Sequence, residues 1–356
     1  MNSKKVFRIV MAFMGVFTGA GFASGQEIMQ YFTSFGLWGI AGAIIATILF
    51  GFVGMVLLDL GSHYNATTHT DVFNEITNKT ISRIIDVALM ITIFGIGVVM
   101  LAGAGSNLNQ QFGLPVWLGS SVLGILLILI GMMDTEKVIS AISSITPFLI
   151  IFVLVISGYI LLFTDYSFQE LDPIARNLSS TLPQWAVSAV NYAAFNITFG
   201  ASMAFVIGGE EEDQKSAATG GLIGGIGVGL LILLNNLSIF AAVDTVSQYP
   251  LPMLALAEQV HPIAGLLMSV VLFVLIWSTG MSLFYSFTSR FSESGTKKFN
   301  MILITSVVVG FGLSFFGFTN LISYFYPIVG YAGILIIGVM IYGWIQKRKQ
   351  TTNEDS

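Results

Sequence analysis

The chain has 356 residues, 55% of them hydrophobic and only 9% charged, with a mean hydropathy of +0.85, whereas soluble domains carry roughly 25% charged residues. It is read as an all-α integral membrane protein, since no segment shows the strict alternation a β-barrel needs. The net charge of −5 is scattered over loops and ends and points to no nucleic-acid partner, and the absence of cysteine excludes disulfide frameworks, thiolate chemistry and cysteine metal sites.

A spanning helix needs about 20 mainly apolar residues, and ten such segments follow one another: 7–34, 37–60, 84–106, 116–133, 143–164, 184–208, 218–241, 262–288, 299–316 and 322–345. The first opens after Lys4, Lys5 and Arg8 and is read as a retained helix rather than a cleaved leader. It contains Gly15-Val-Phe-Thr-Gly-Ala-Gly-Phe-Ala-Ser-Gly-Gln-Glu27, four glycines in thirteen residues. Each glycine costs about 1 kcal/mol relative to alanine in a helix. Irregular backbone inside a bilayer survives only where it is buried in protein or lines a cavity, so a break is expected here. Packing glycines in an unbroken helix, at the four-residue spacings of Gly15 and Gly19 and of Gly21 and Gly25, are the alternative.

Residues 61–83 form a polar connection long enough for a short surface helix. Asp165 to Pro183 divides the chain into a first half (1–165) and a second (184–346), joined by an external connection (166–183) within one transmembrane domain and followed by a tail, 347–356. Glu210 to Asp213 is expected to be a solvated acidic turn, and Tyr249 to Pro262 a helical cap bounded by prolines. With the N-terminus cytoplasmic, every Lys and Arg except Arg176 lies on the cytoplasmic side, Lys137 included. Both termini are therefore expected in the cytoplasm, in a multi-pass protein of the cell membrane.

The first segment of the second half, Asn191 to Ser202, carries Asn196, Thr198 and Gly200 and is expected to be interrupted like the first segment of the first half. Paired interruptions in two halves point to a transporter site near the midplane. Each half has five spans, so the second enters from the opposite side, an inverted repeat. A broken helix exposes N–H groups at one end and carbonyls at the other, equivalent to about half a unit charge of each sign. Amides near Gly21, Phe22 and Ala23 suit a carboxylate, and carbonyls near Phe17 and Thr18 suit an ammonium group or a cation. The matching ligand is a zwitterion. Glu27, about 9 Å beyond Gly21 along a regular helix, is a gate or proton-carrier candidate. Asn107 and Ser282 are weaker polar candidates. His63, His69 and His261 fall in predicted connections, so neither an enzyme nor a resident metal centre is expected.

With these residues in view, the chain resembles the APC superfamily of LeuT-fold secondary transporters and, from Met11 through Gly36, the bacterial YkvI-type membrane proteins. The resemblance rests on Gly15-x-x-Thr-Gly19-Ala-Gly21 and on Phe195 through Ala201. It implies a LeuT-like 5+5 inverted repeat of ten helices with helices 1 and 6 broken. Gly19, Ala20, Gly21, Phe22 and Ala23 would meet a substrate carboxylate, and Phe195, Asn196, Thr198 and Phe199 would line its side-chain pocket. Gly15 and Thr18 would share a sodium ion with Ser278 and Thr279. The implied activity is sodium-coupled symport of a small amino acid or related zwitterion by alternating access, without a cofactor and with the bilayer as the other partner. Proton coupling and a non-transporting ligand sensor on the same fold are the alternatives. No oligomeric state follows.

Overall fold

A computed structural model describes residues 3–132 and 146–354. Lys137, the last residue of the fourth predicted span and the first three of the fifth lie outside the described residues. Every regular element among the described residues is helical. The first predicted span is divided into α1 (Ser3–Phe17), α2 (Ala20–Ser24) and α3 (Gln26–Tyr31), and a 3-10 turn, Thr33–Phe35, leads into α4 (Leu37–His63). Then come α5 (His69–Ile76), α6 (Lys79–Phe112), α7 (Val116–Gly131), α8 (Thr146–Phe163) and α9 (Phe168–Arg176). The second half holds α10 (Trp185–Gly209), α11 (Gln214–Ala241), α12 (Val243–Val246), α13 (Pro252–Val260), α14 (Pro262–Ser289), α15 (Lys297–Ser314) and α16 (Phe318–Glu354). Seven of these, α4, α6, α10, α11, α14, α15 and α16, are long and apolar enough to cross a membrane, and α7 and α8 are shorter apolar helices.

Local chemistry sets the boundaries. α5 begins with a capping box in which Thr68 and Asp71 satisfy each other's backbone amides, and the Asn78 side chain accepts from Ile81 N–H at 2.9 Å to start α6. Pro252 and Pro262 stand in the first turns of α13 and α14, where a missing N–H is harmless. Residues 252–257 of α13 are all buried, so the cap expected from the prolines is packed into the fold.

Helix packing separates two groups. α1, α4, α10 and α11 pack on one another, as do α6, α7, α14 and α15, and α16 touches both α10 and α6. The tightest seam joins α4 and α11: an added Cβ at Gly54 would meet the Gly221 carbonyl, and one at Gly225 would meet the Phe50 carbonyl. Small residues let backbones approach where lipid supplies no hydrophobic drive.

The two ends of the fold differ. Arg176 pairs with Asp172 beside the start of α4, while the Lys347–Asp59, Lys5–Glu211 and Arg290–Asp86 pairs lie at the other, basic end. Two expectations are corrected. The acidic turn is not simply solvated: Glu211 is buried, bonded by Lys5 at 3.1 Å and by the Asp213 amide, and its carbonyl accepts from Ser62. The sixth predicted span is not interrupted, because α10 runs unbroken from Trp185 to Gly209. Its polar groups are satisfied within the helix: Asn196 Nδ2 donates to the Tyr192 carbonyl at 3.1 Å and Thr198 Oγ1 to the Ala194 carbonyl at 2.8 Å. Gly200 marks a close approach instead of a break, since a Cβ there would run into the Phe17 ring.

Candidate functional site

The first helix stops at Phe17, and Thr18 is held to it twice, through its amide and its hydroxyl, both on the Met14 carbonyl at 2.9 and 2.7 Å. The chain then turns extended at Gly19 (φ −84°, ψ −171°) and restarts at Ala20. Across the break neither the Thr18 carbonyl nor the Gly19 N–H has a hydrogen-bond partner among the described residues. Ala23 N–H, one of the expected carboxylate donors, is already committed to the Gly19 carbonyl at 3.1 Å. A Cβ added at Gly15 or Gly19 would meet nothing within 4 Å, so open space lies beside the break. Beyond it, residues 20–34 are buried without exception.

A second interruption follows at Gly25 (φ +78°), a left-handed position glycine adopts without strain. Ser24 stabilises it by donating to the Gly21 carbonyl at 2.7 Å and accepting from the Gln26 amide at 3.1 Å. Asn235 of α11 donates to the Phe22 carbonyl at 3.2 Å. This interruption between α2 and α3 corrects the expected position of the Glu27 carboxyl. The carboxyl lies against the Cα of Gly21, where an added Cβ would overlap Oε1, instead of standing about 9 Å further out.

Glu27 is 3% exposed, and its neighbours are phenols. Tyr192 of α10 donates to Oε2 at 3.4 Å, and the Tyr326 hydroxyl of α16 also bonds it. Phe195 stacks on the Tyr326 ring at 4.0 Å, and the Tyr31 ring lies 5.2 Å from that of Tyr192. Asn191 ties the cluster together, accepting from the Tyr31 hydroxyl at 3.3 Å and donating to the Pro327 carbonyl at 3.0 Å. Among the described residues no cationic side chain pairs with Glu27. A buried carboxylate without a counter-charge costs several kcal/mol, so this position calls for a proton or a bound cation.

The third part of the site is on α14, which packs against α2. Hydroxyls in membrane helices commonly bond back to their own helix; Thr288 bonds the Phe284 carbonyl in this way at 2.7 Å. The Ser278 and Thr279 hydroxyls make no hydrogen bond among the described residues, and the adjacent Trp277 Nε1 is buried without a partner. Three neighbouring polar groups thus wait in one turn. Toward the basic end the helix continues with Ser282, Ser286 and Ser289, all exposed.

Of the proposed substrate residues, Phe195, Asn196 and Thr198 are buried and Phe199 is half-buried. Phe195 joins the Glu27 cluster through the Tyr326 ring, and Asn196 through the Tyr192 carbonyl. Asn107, a weaker candidate in the sequence, is fully occupied by Ser269, donating to its carbonyl at 3.1 Å and accepting from its hydroxyl at 2.6 Å, and so clamps α6 to α14. Tyr31, Tyr192, Tyr326, Asn235 and Trp277 escaped the sequence reading. Asn235 carried a visible signal, an Asn-Asn pair in the middle of an apolar span; the tyrosines carried none, because their partner is distant in sequence.

No family model matches the chain. Over nearly its full length it is similar to two Bacillus subtilis (strain 168) proteins. One is YkvI, an uncharacterized membrane protein, 24% identical over 334 residues, with 94% of each chain covered. The other is YyaD, an uncharacterized protein, 25% identical over 342 residues, covering 96% of this chain and 97% of the relative. Among solved structures, MhsT in complex with L-phenylalanine superposes with a TM-score of 0.66 at 16% identity, over 94% of this chain and 88% of MhsT. Mhp1 in an inward-facing conformation gives 0.57 at 17% identity, over 97% and 76%. The chain is a multi-helical membrane protein with the LeuT-type fold that these structures share.

Proposed function

We propose that the chain is a secondary active transporter of a small amino acid or related zwitterion, driven by sodium and working by alternating access. The observation that carries this reading is the Thr18–Gly19 peptide, with both its carbonyl and its N–H unpartnered beside open space in a bundle where an unmade backbone bond costs about 1–3 kcal/mol. A cation or ammonium group would satisfy the carbonyl, and a carboxylate the amide. In this reading Ala20 and Phe22 extend the amide side, with Gly21 backed by Glu27. Gly15, Thr18, Ser278 and Thr279 supply oxygens to a sodium ion, a hard cation suited to carbonyl and hydroxyl ligands. Phe195, Asn196, Thr198 and Phe199 meet the substrate's side chain. L-phenylalanine bound to MhsT supports an amino-acid substrate by analogy of fold.

The seven long helices, the two shorter ones and the broken first segment together would make ten spans. That number fits two inverted halves of five, with both termini cytoplasmic in the cell membrane. The group of α1, α4, α10 and α11 would rock against that of α6, α7, α14 and α15. The exposed hydroxyls of Ser282, Ser286 and Ser289 would line the route to the basic end.

Proton coupling is a second reading, favoured by Glu27 itself: a buried acid held by two phenols, with no cationic side chain to keep it charged. Thermal-shift screening of the purified protein against amino acids, each with sodium or with choline, separates the readings. A ligand that binds only the folded state raises its stability, and the rise grows with the logarithm of ligand concentration above the Kd. Stabilisation needing both an amino acid and sodium supports sodium symport; stabilisation indifferent to sodium but lost in Glu27→Gln supports the proton. No stabilisation by any amino acid overturns the substrate class.

A further inference from the structure

Four cations at the basic end of the fold are already engaged. Lys5 pairs with Glu211, Arg290 with Asp86 and Lys347 with Asp59, and the Arg348 guanidinium lies 4.0 Å from the centre of the Trp344 ring. Lys79 and Arg83, in the first two turns of α6, are exposed, and neither makes a hydrogen bond or an ion pair with any described residue. They are four residues apart and therefore share one helix face, about 6 Å from each other along the axis. With Thr80, Ile84 and Val87 they line a groove of about 390 Å³. Ile84, Val87 and Ile91, at spacings of three and four, are all exposed and continue that face as an apolar strip.

The wall of the groove thus changes character along α6, from two cations and a hydroxyl to a run of aliphatic side chains. The span expected from the sequence, 84–106, begins directly after Arg83, which puts the cations at headgroup level and the strip at the start of the hydrocarbon. No carboxylate lines the groove among the described residues.

We propose that this groove is a binding site for an anionic phospholipid, whose phosphate lies between Lys79 and Arg83 and whose acyl chain follows Ile84, Val87 and Ile91. The guanidinium fork of Arg83 matches two phosphate oxygens, and Lys79 adds a point charge beside it. A zwitterionic headgroup would bring its own ammonium into a groove with two cations and no described carboxylate, and a free phosphate would leave the apolar strip uncovered. Lys297 and Lys298 at the start of α15 are also exposed, but as consecutive residues they stand about 100° apart around the helix and share no face. α6 packs on α7, α14 and α15, so the lipid holds this group of helices to the bilayer surface. The site is independent of any transported substrate.

Native mass spectrometry of the purified full chain, titrated with phosphatidylglycerol or with phosphatidylcholine of the same acyl chains, tests it. The first phosphatidylglycerol binds more tightly than phosphatidylcholine. Lys79→Gln or Arg83→Gln weakens its binding about fivefold, the effect of one basic side chain at an anionic lipid surface, and the two together weaken it about 25-fold. The paired change Lys297→Gln and Lys298→Gln leaves it unaltered. Because Lys79 and Arg83 bond nothing described, their variants keep the natural melting temperature in lipid-free detergent. Equal binding of the two lipids, or natural affinity after loss of both Lys79 and Arg83, overturns the site. An equal loss in the Lys297 and Lys298 variant overturns it too, leaving only diffuse positive charge, as does displacement of the lipid by equimolar glycerol 3-phosphate, which would mark a free-phosphate site.

Discussion

The first predicted span and the sixth have similar polar content, yet one is broken twice and the other is continuous. In α10 the polarity resides in Asn196 and Thr198, whose side chains return to carbonyls one turn back, so the helix keeps its ladder. In the first span much of it resides in glycines, which have no side chain to return, and the bonds that hold the breaks come from elsewhere. Ser24 stabilises the turn at Gly25, and Asn235 reaches across from α11 to the Phe22 carbonyl. A break therefore needs glycine where the backbone turns and a partner on a neighbouring helix. Polar residues in a span are insufficient.

This contrast can be broken most directly at Glu27. Glu27→Gln keeps the shape and removes the charge and the titration; on the proton-coupled reading it should abolish proton-linked uptake in proteoliposomes while leaving the fold intact by size-exclusion and thermal melting. Normal proton-linked flux would reduce Glu27 to a structural acid. Gly21→Ala drives a methyl into the Glu27 carboxyl, and overpacking of this kind costs about 1–3 kcal/mol; the melting temperature should fall, and pairing it with Glu27→Ala should restore most of the loss. Asn235→Ala removes one of the two donors to the Phe22 carbonyl, which keeps the Gly25 amide at 3.2 Å, for a loss of about 0.5–1.5 kcal/mol. The smallest effect belongs to the continuous helix. Thr198→Val keeps the shape and removes only a bond back to a carbonyl of its own helix, so denaturation should move by less than about 1 kcal/mol. A larger loss from Thr198→Val than from Asn235→Ala would reverse the account of why only one span breaks.

The sequence disclosed this architecture unevenly. Apolar run length located the seven helices long and apolar enough to cross a membrane, because bilayer thickness imposes that length whatever the partners are. The glycine cluster from Gly15 to Gly25 announced the first break for the reason the structure shows, a left-handed Gly25 and an extended Gly19. The same pattern logic failed at Asn196 and Thr198, since a sequence does not say whether a hydroxyl or an amide will turn back on its own helix. It also misplaced Glu27. A distance counted along one helix presumes that the helix continues, and the turn at Gly25 folds the carboxyl onto Gly21. Tyr192 and Tyr326 were invisible for a related cause, since their role depends on where the Glu27 carboxyl lies. His69 was read as a loop residue, although α5 buries it among Asp86, Arg290 and Ser202.

We propose, as the central claim, that the unpartnered peptide at Thr18–Gly19, together with Ser278 and Thr279, holds a small zwitterion and a sodium ion. Uptake of radiolabelled amino acids into proteoliposomes, with an imposed sodium gradient and again with choline, tests it most directly when the natural chain is run beside Thr279→Ala. The account predicts accumulation above equilibrium in sodium alone, sharply reduced in the variant. Equal uptake in sodium and choline, or a Thr279→Ala protein that accumulates as well as the natural chain, would contradict it.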